Sequence, residues 1–233
     1  MADQQLPTGW ELVASSGMAR VACHKGDNIY YKEFLPRSPL EKLKALVKGS
    51  RATRARLHSE ALLLAGFDAP VNIAWGKLAG GREYLFTHAV AGAGITQWLR
   101  YTLTDRDPAS LDQRRQLLRE LGIFIGRLHA TGFIHGDLRP SNVLAAKHAQ
   151  RFQFSLIDNE RNVQQIPPAG KHLLKNLMQL NMLLPTDLTR SDRMRFFNSW
   201  RSQMRSHTDT EAELLAIQAY QWACRRLKAK GKL

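Results

Sequence analysis

Gly132-Phe133-Ile134-His135-Gly136-Asp137-Leu138-Arg139-Pro140-Ser141-Asn142-Val143-Leu144 is the stretch on which the reading of this chain turns. It sets His135, Asp137 and Asn142 in the spacing H-x-D-x-x-x-x-N. Phosphoryl transfer needs those residue types at that separation. An Asp accepts the proton of an attacking hydroxyl, and an Asn a few residues on holds a divalent ion against nucleotide phosphates. A match over so few positions can arise by chance, so the weight falls on what flanks it.

Downstream, the apolar run Phe154-Ser155-Leu156-Ile157 delivers Asp158, sixteen positions after Asn142. A carboxylate there suits a second magnesium ligand, because hard divalent ions take carboxylate and phosphate oxygens together. A plain strand-end turn through Asp158-Asn159 would look the same, and the loop upstream favours the metal role. Upstream, Lys32 closes the strand-like Ile29-Tyr30-Tyr31-Lys32. A cation there would hold the α- and β-phosphates of ATP. Glu60, on the helix that follows, would pair with that ammonium and fix it. Either residue alone is an ordinary surface group; the loop raises both.

Within the loop, Asp137 is the candidate catalytic base, and a turn Asp beside Pro140 is the plainer alternative. Asn142 is the candidate metal ligand or, more simply, a turn residue. Arg139 could set a guanidinium on the transferring phosphoryl group. His135 reads as a brace for the loop rather than a proton carrier. Ser15-Ser16-Gly17-Met18-Ala19-Arg20 stands where a loop should cover the phosphates, with backbone donors in place of a glycine-rich run. Neither Cys23 nor Cys224 has the neighbours of a nucleophile or a zinc site.

The surrounding chain reads as β-rich and then helical. Strands are expected from about Gly9 to Leu35, Val71 to Lys77 and Glu83 to Val90, with turns at His24–Asn28 and Gly80-Gly81. One helix, about Ser50 to Ala65, interrupts them, with Leu57, Ala61 and Leu64 recurring at helical spacing. After Gly92-Ala93-Gly94 come helices at Ile95–Tyr101, Leu111–Thr131, Lys171–Leu184, Arg190–Arg205 and Thr210–Lys228, and one short strand at Phe152–Ile157. Leu117, Leu121, Phe124, Ile125 and Leu128 give the longest helix an apolar stripe. This order predicts an α+β fold: a β-rich lobe over residues 1–91 and a helical lobe over residues 92–233, with a cleft between them.

Composition bounds the rest. A hydrophobic share of 44% over 233 residues is enough for a substantial core. The N-terminus shows no secretory pattern, and no apolar run approaches the ~20 residues of a spanning helix. Two distant cysteines fit a reducing cytoplasm. With 34 Lys+Arg against 20 Asp+Glu the net charge is +14, which expects an anionic partner. The cations gather at Lys42, Lys44, Lys48, Arg51, Arg54 and Arg56, and in the tail from Arg225 to Lys232. Both are candidates for peripheral contact with an acidic membrane surface. No aromatic-interleaved basic motif is present, so no nucleic-acid partner is expected.

These residues together resemble the protein-kinase-like superfamily and, more narrowly, the lipopolysaccharide kinase (Kdo/WaaP) family. The likeness rests on Tyr30-Tyr31-Lys32-Glu33-Phe34, on Arg54 and Glu60 through Phe67 with Pro70, on His135-Gly136-Asp137 with Asn142-Val143-Leu144, and on Ile157-Asp158-Asn159-Glu160-Arg161. The resemblance implies a two-lobed protein-kinase-like fold. It also implies transfer of the ATP γ-phosphate, with Mg2+, to a heptose or Kdo hydroxyl of the lipopolysaccharide inner core, at the cytoplasmic face of the inner membrane. Lipopolysaccharide core or another anionic glycolipid is then the implied partner. Leu138-Arg139-Pro140-Ser141 reads more like a protein-kinase loop than the family's usual filling. Lys171 and Asn176 stand where a basic residue and an Asp are expected.

Three other readings compete. A protein kinase, or one for another small molecule, has the same loop, but only about a dozen residues separate Asp158 from the next helix, with no A-P-E ending. An antibiotic phosphotransferase would take cationic substrates, which a chain this basic repels. A nucleotide-binding pseudokinase scaffold would have no need of Lys32, Asp137, Asn142 and Asp158 together.

Overall fold

Alternating apolar and polar residues between Trp10 and His88 build an antiparallel sheet, since successive side chains of a strand point to opposite faces. Its strands are β1 (Trp10–Val13), β2 (Ala19–His24), β3 (Ile29–Phe34), β4 (Asn72–Leu78) and β5 (Arg82–His88), in the order β1-β2-β3-β5-β4. The structure, a computed structural model, describes residues 6–15, 17–35, 49–105, 107–168 and 170–233. The chain divides into two compact units, Met1–Val90 and Ala91–Leu233.

Register decides what each face of the first unit's sheet carries. Lys32 lies opposite Val21 on β2 and Leu85 on β5, and so shares a face with Phe34. Phe34 and Leu85 are buried against Ala52 and Ala55 of helix α1 (Arg51–Leu64). The other face carries Trp10, Tyr31, Tyr84 and Phe86, with ring centroids 5.1 to 6.5 Å apart. Ser50 starts α1 by accepting the Thr53 N–H at 3.1 Å. Gly66 at φ +79° ends it, and Phe67 N–H returns to Leu62 O at 2.9 Å.

Here the structure corrects the sequence pattern. Leu57, Ala61 and Leu64 recur at helical spacing, yet Leu57 is 47% and Leu64 is 90% exposed. The buried face is Ala52, Ala55, Ser59 and Leu62. Close approach to Phe34 and Leu85 needs small side chains, and the alanines supply them.

In the second unit, helix α2 (Ile95–Gln97) runs into a wider turn at Trp98–Thr102, followed by α3 (Pro108–Ala130). Asp107 caps α3 through the N–H groups of Ala109 and Ser110 at 3.0 and 3.1 Å, and Pro108 suits the first turn. The stripe Leu117, Leu121, Ile125 and Leu128 is buried. Short strands follow: β6 (Ala93–Gly94), β7 (Phe133–Ile134), β8 (Val143–His148), β9 (Arg151–Leu156) and β10 (Val163–Gln164). Three helices complete the unit: α4 (Gly170–Leu180), α5 (Arg190–Arg201) and α6 (Asp209–Lys228). Helix α3 packs on α5, and α4 on α6. Gly122 and Gly126 let α5 approach α3: a Cβ on Gly126 would stand 2.7 Å from Gln203 Cβ, and one on Gly122 would stand 2.7 Å from Ser199 Cβ. The fold is thus α+β, with a β-rich first unit and a helical second unit.

Candidate active site

The end of α3 delivers the loop. Gly132, at φ +81°, turns the chain out of the helix into β7. β10 pairs with β7, Val163 opposite Ile134, so the segment after Asp158 runs beside the start of the loop. Gly136 is needed there, since a Cβ would lie 2.5 Å from the Arg161 carbonyl carbon. Its N–H donates to Asn162 Oδ1 at 3.2 Å, and Asn162 Nδ2 donates to Asn159 Oδ1 at 3.1 Å.

His135 is 1% exposed and has both ring nitrogens engaged. Asp137 N–H donates to Nδ1 at 3.1 Å, so Nε2 carries the proton and donates to Ile157 O at 3.0 Å. Burial holds its pKa below the usual histidine value, which keeps the ring neutral. In this structure it bridges the loop to the chain just before Asp158.

A second layer fixes the loop from α4. Asn176 is fully buried; its Oδ1 accepts from His135 N at 3.1 Å and its Nδ2 donates to His135 O at 2.7 Å. The same Oδ1 accepts from His129 Nε2 at 3.2 Å, while His129 Nδ1 accepts from Trp200 Nε1 at 3.0 Å. Burial pushes His129 down to about 4. An amide can donate and accept at once, so Asn176 meets both backbone groups of His135 where a carboxylate could meet only the donor.

Asp137 lies at the opening of this arrangement, its side chain 17% exposed. Arg139 Nε donates to its Oδ1 at 2.8 Å, and Gln179 Nε2 donates to the same oxygen at 2.9 Å. Asn142 Nδ2 donates to the Asp137 carbonyl at 2.8 Å. Ile157 N–H donates to Asn142 O at 3.0 Å, so the backbones carrying Asn142 and Asp158 are one hydrogen bond apart. Asp158 is exposed and left-handed, at φ +63° and ψ +47°. A non-glycine residue in that region costs roughly 1–2 kcal/mol and recurs at working sites.

Among the described residues no group of three or more His, Cys, Asp or Glu side chains is placed to hold a metal ion. One amide oxygen and one carboxylate nevertheless suit Mg2+, which keeps most of its shell for water and phosphate oxygens. The donor set of Asn142 and Asp158 fits such an ion.

Lys32 and Glu60 belong to the first unit. Lys32 Nζ stands 5.1 Å from the centroid of the Phe34 ring. The expected Lys32–Glu60 pair is not made. Glu60 instead meets Arg56 Nη1 at 3.0 and 3.1 Å and Asn72 Nδ2 at 3.3 Å. Arg56 is one helical turn away and wins on proximity. The described members of the basic cluster make contacts within the unit. Arg51 is buried and donates to Met18 O, and Arg54 donates to Gly49 O. Lys42, Lys44 and Lys48 lie outside the described residues.

The second unit also holds a cavity of about 760 Å3, lined by side chains such as Leu121, Leu177, Phe197 and Ile217. Pro140 is its contact with the loop. Its walls are largely apolar with Arg190, Arg193 and Arg201 among the lining residues, and Asp137 is not one of them.

Gln179 escaped the sequence reading, and Asn176 entered it only as a departure, standing where the resemblance expects an Asp. Their signal is faint: two amides three apart within the otherwise apolar Leu173-Leu174-Lys175-Asn176-Leu177-Met178-Gln179-Leu180.

Comparison with known proteins follows this geometry. Among solved structures, "WaaP in complex with acyl carrier protein" superposes with a TM-score of 0.63 at 17% identity, covering 94% of this chain and 88% of that one. WbdD, a bifunctional kinase-methyltransferase, gives 0.52 at 20% identity; 92% of this chain covers 46% of it. An aminoglycoside phosphotransferase, APH(3'')-Id from Streptomyces rimosus, gives 0.53 at 16% identity over 92% and 93%. At these identities the likeness is one of fold, and the fold is protein-kinase-like. The EKC/KEOPS complex subunit BUD32 of Chaetomium globosum is 33% identical over 108 residues, 42% of this chain and 40% of that protein. The profile of the lipopolysaccharide kinase (Kdo/WaaP) family matches residues 14–200, and the chain belongs to that family of phosphotransferases.

Proposed function

We propose that this chain transfers the γ-phosphoryl group of ATP to a sugar hydroxyl, heptose or Kdo, of the lipopolysaccharide inner core. The observation that carries the reading is Asp137: a half-buried carboxylate held at one oxygen, beside Asn142 and Asp158 on hydrogen-bonded backbone. In this reading Asp137 takes the proton of the acceptor hydroxyl as its oxygen bonds to the γ-phosphorus and ADP departs. Asn142 Oδ1 and the Asp158 carboxylate would hold Mg2+, which neutralises phosphate charge when bound. Lys32 would serve the nucleotide phosphates from the first unit. His135 braces the loop, and Arg139 holds Asp137 and, 64% exposed, would be free to swing onto the transferring phosphoryl group.

The site would work at the cytoplasmic face of the inner membrane. Support for a peripheral contact now rests on the tail, where Arg225, Arg226, Lys228 and Lys230 are exposed. No described helix is long and apolar enough to cross a membrane.

The test is mass spectrometry of core lipid lacking phosphate, presented in anionic vesicles with Mg-ATP. Wild type should add one phosphate, with fragment ions locating it and the rate falling as salt rises. Asp137→Ala should lose about 10²–10⁴ in rate, the contribution of a positioned base. A phosphate gain that survives Asp137→Ala would remove this base, and no gain from a preparation that binds Mg-ATP would remove this acceptor.

A further inference from the structure

Asp137 has two oxygens, and the structure treats them differently. Gln179 Nε2 and Arg139 Nε both donate to Oδ1; among the described residues Oδ2 takes no donor. The orientation of the Gln179 amide is itself fixed. Its Oε1 accepts the Leu138 backbone N–H at 3.0 Å, and a backbone N–H can only donate. Asn176 Nδ2 stands 3.5 Å from the same Oε1. That leaves Nε2 turned to Asp137 and nowhere else. Gln179 sits on α4 one turn after Asn176, the residue that grips both backbone groups of His135. One helix face therefore fixes the loop's backbone through Asn176 and its acidic side chain through Gln179.

We infer that Gln179 is a positioning residue for phosphoryl transfer, holding Asp137 Oδ1 so that Oδ2 is presented to the hydroxyl whose proton it takes. This rests on the reading of Asp137 as the base. The two donors on Oδ1 are not equivalent. Arg139 is 64% exposed on a long flexible stem, whereas Gln179 is half-buried and tied at its other end. Gln179 is thus the donor that sets the carboxylate's rotation.

Gln179→Glu keeps the backbone contact, since a carboxylate still accepts the Leu138 N–H, but it removes the donor and sets a like charge against Asp137. Gln179→Met removes both contacts and serves as the second variant. Each is measured for kcat and for KM of ATP, with kcat expressed per nucleotide-binding molecule so that misfolded protein does not count. Both should lose about 10- to 100-fold in kcat, the scale on which an ångström of misplacement acts, with KM for ATP within about twofold of wild type. In the Asp137→Ala background neither exchange should cost anything more, because a positioning residue acts through what it positions. A full wild-type kcat per competent molecule, or an undiminished loss in the Asp137→Ala background, overturns the inference. Rates are read both for transfer to the core sugar and for ATP hydrolysis without sugar, where water replaces the alcohol. If the wild type hydrolyses ATP but leaves the core untouched, the proposed acceptor fails while Gln179 is still decided on hydrolysis.

Discussion

The loop of the second unit and the sheet and helix of the first unit hold their polar groups in different ways. Around the loop of the second unit the buried bracing groups are neutral: two imidazoles, His129 and His135, and the amides Asn159, Asn162 and Asn176. In the first unit ion pairs do this work: Glu60 with Arg56 at the surface, and the buried Glu33 between the partly exposed Arg20 and Arg82. The difference follows from desolvation. Burying a charge is costly even when it is paired, while a neutral group that keeps all its hydrogen bonds is not. A loop that must hold atoms to within fractions of an ångström is therefore braced by uncharged donors and acceptors out of reach of water and salt.

The strongest way to break this comparison is Asn176→Leu. It leaves three buried groups without partners: the His135 N–H, the His135 carbonyl and His129 Nε2. At about 1–3 kcal/mol for each orphaned group, stability should fall by roughly 3 kcal/mol or more, a drop of about 10 °C in Tm for a chain of this size. Chemical denaturation measures it. A loss under about 1 kcal/mol would put the network on a level with surface pairs, and the contrast between units would vanish.

Acid sharpens the comparison next. His129 is held near 4 by burial, against 6.5 when unfolded. Above 6.5 neither state binds the proton and the contribution is fully present. As pH falls below that, the unfolded chain takes the proton first, so stability is lost progressively toward pH 4. The full extent is about 3 kcal/mol at ~1.4 kcal/mol per pKa unit. Burial pushes His135 in the same direction. Urea titrations at about pH 7 and about pH 4.5 should show the loss in wild type and a smaller one in His129→Gln, which keeps a neutral hydrogen-bonding group there. Equal slopes for the two proteins would show that His129 does not carry the acid response.

What the sequence discloses follows the same division between local and distant. The loop is legible because its spacing is local: His135, Asp137 and Asn142 meet through backbone turns only a few residues long. Their support is not, because Asn176 and Gln179 reach them across 41 and 42 positions. Nothing in a helix of leucines and amides announces which loop it faces. The α1 spacing misleads for a packing reason: Leu57 and Leu64 are exposed, while the buried face combines Leu62 with the small Ala52, Ala55 and Ser59. β8 is absent from the sequence reading because Ala145-Ala146-Lys147-His148 has no strand-forming side chain. It is a strand because it pairs with β9, from Val143 opposite Leu156 to His148 opposite Arg151.

The smallest effect bears on the first unit. Sequence reasoning gives Glu60 to Lys32, whereas the structure gives it to Arg56, whose guanidinium also stands 4.3 Å from the Trp75 ring. Glu60 is 39% exposed, so solvent screens the pair and Glu60→Gln should change stability by under about 1 kcal/mol, a shift of about 3 °C or less in Tm. Arg56 keeps its place on Trp75, and the glutamine oxygen can still accept from Asn72. KM for ATP should stay near the wild-type value, since Glu60 contacts Arg56 and Asn72 and not Lys32. A rise of about tenfold or more with an unchanged Tm would mean that Glu60 leaves Arg56 for Lys32 when nucleotide binds. The exposed ion pair would then be a resting arrangement that a ligand can exchange, which a buried neutral network could not offer. Weak pairing in the first unit would in that case be what lets it respond, while the second unit holds still.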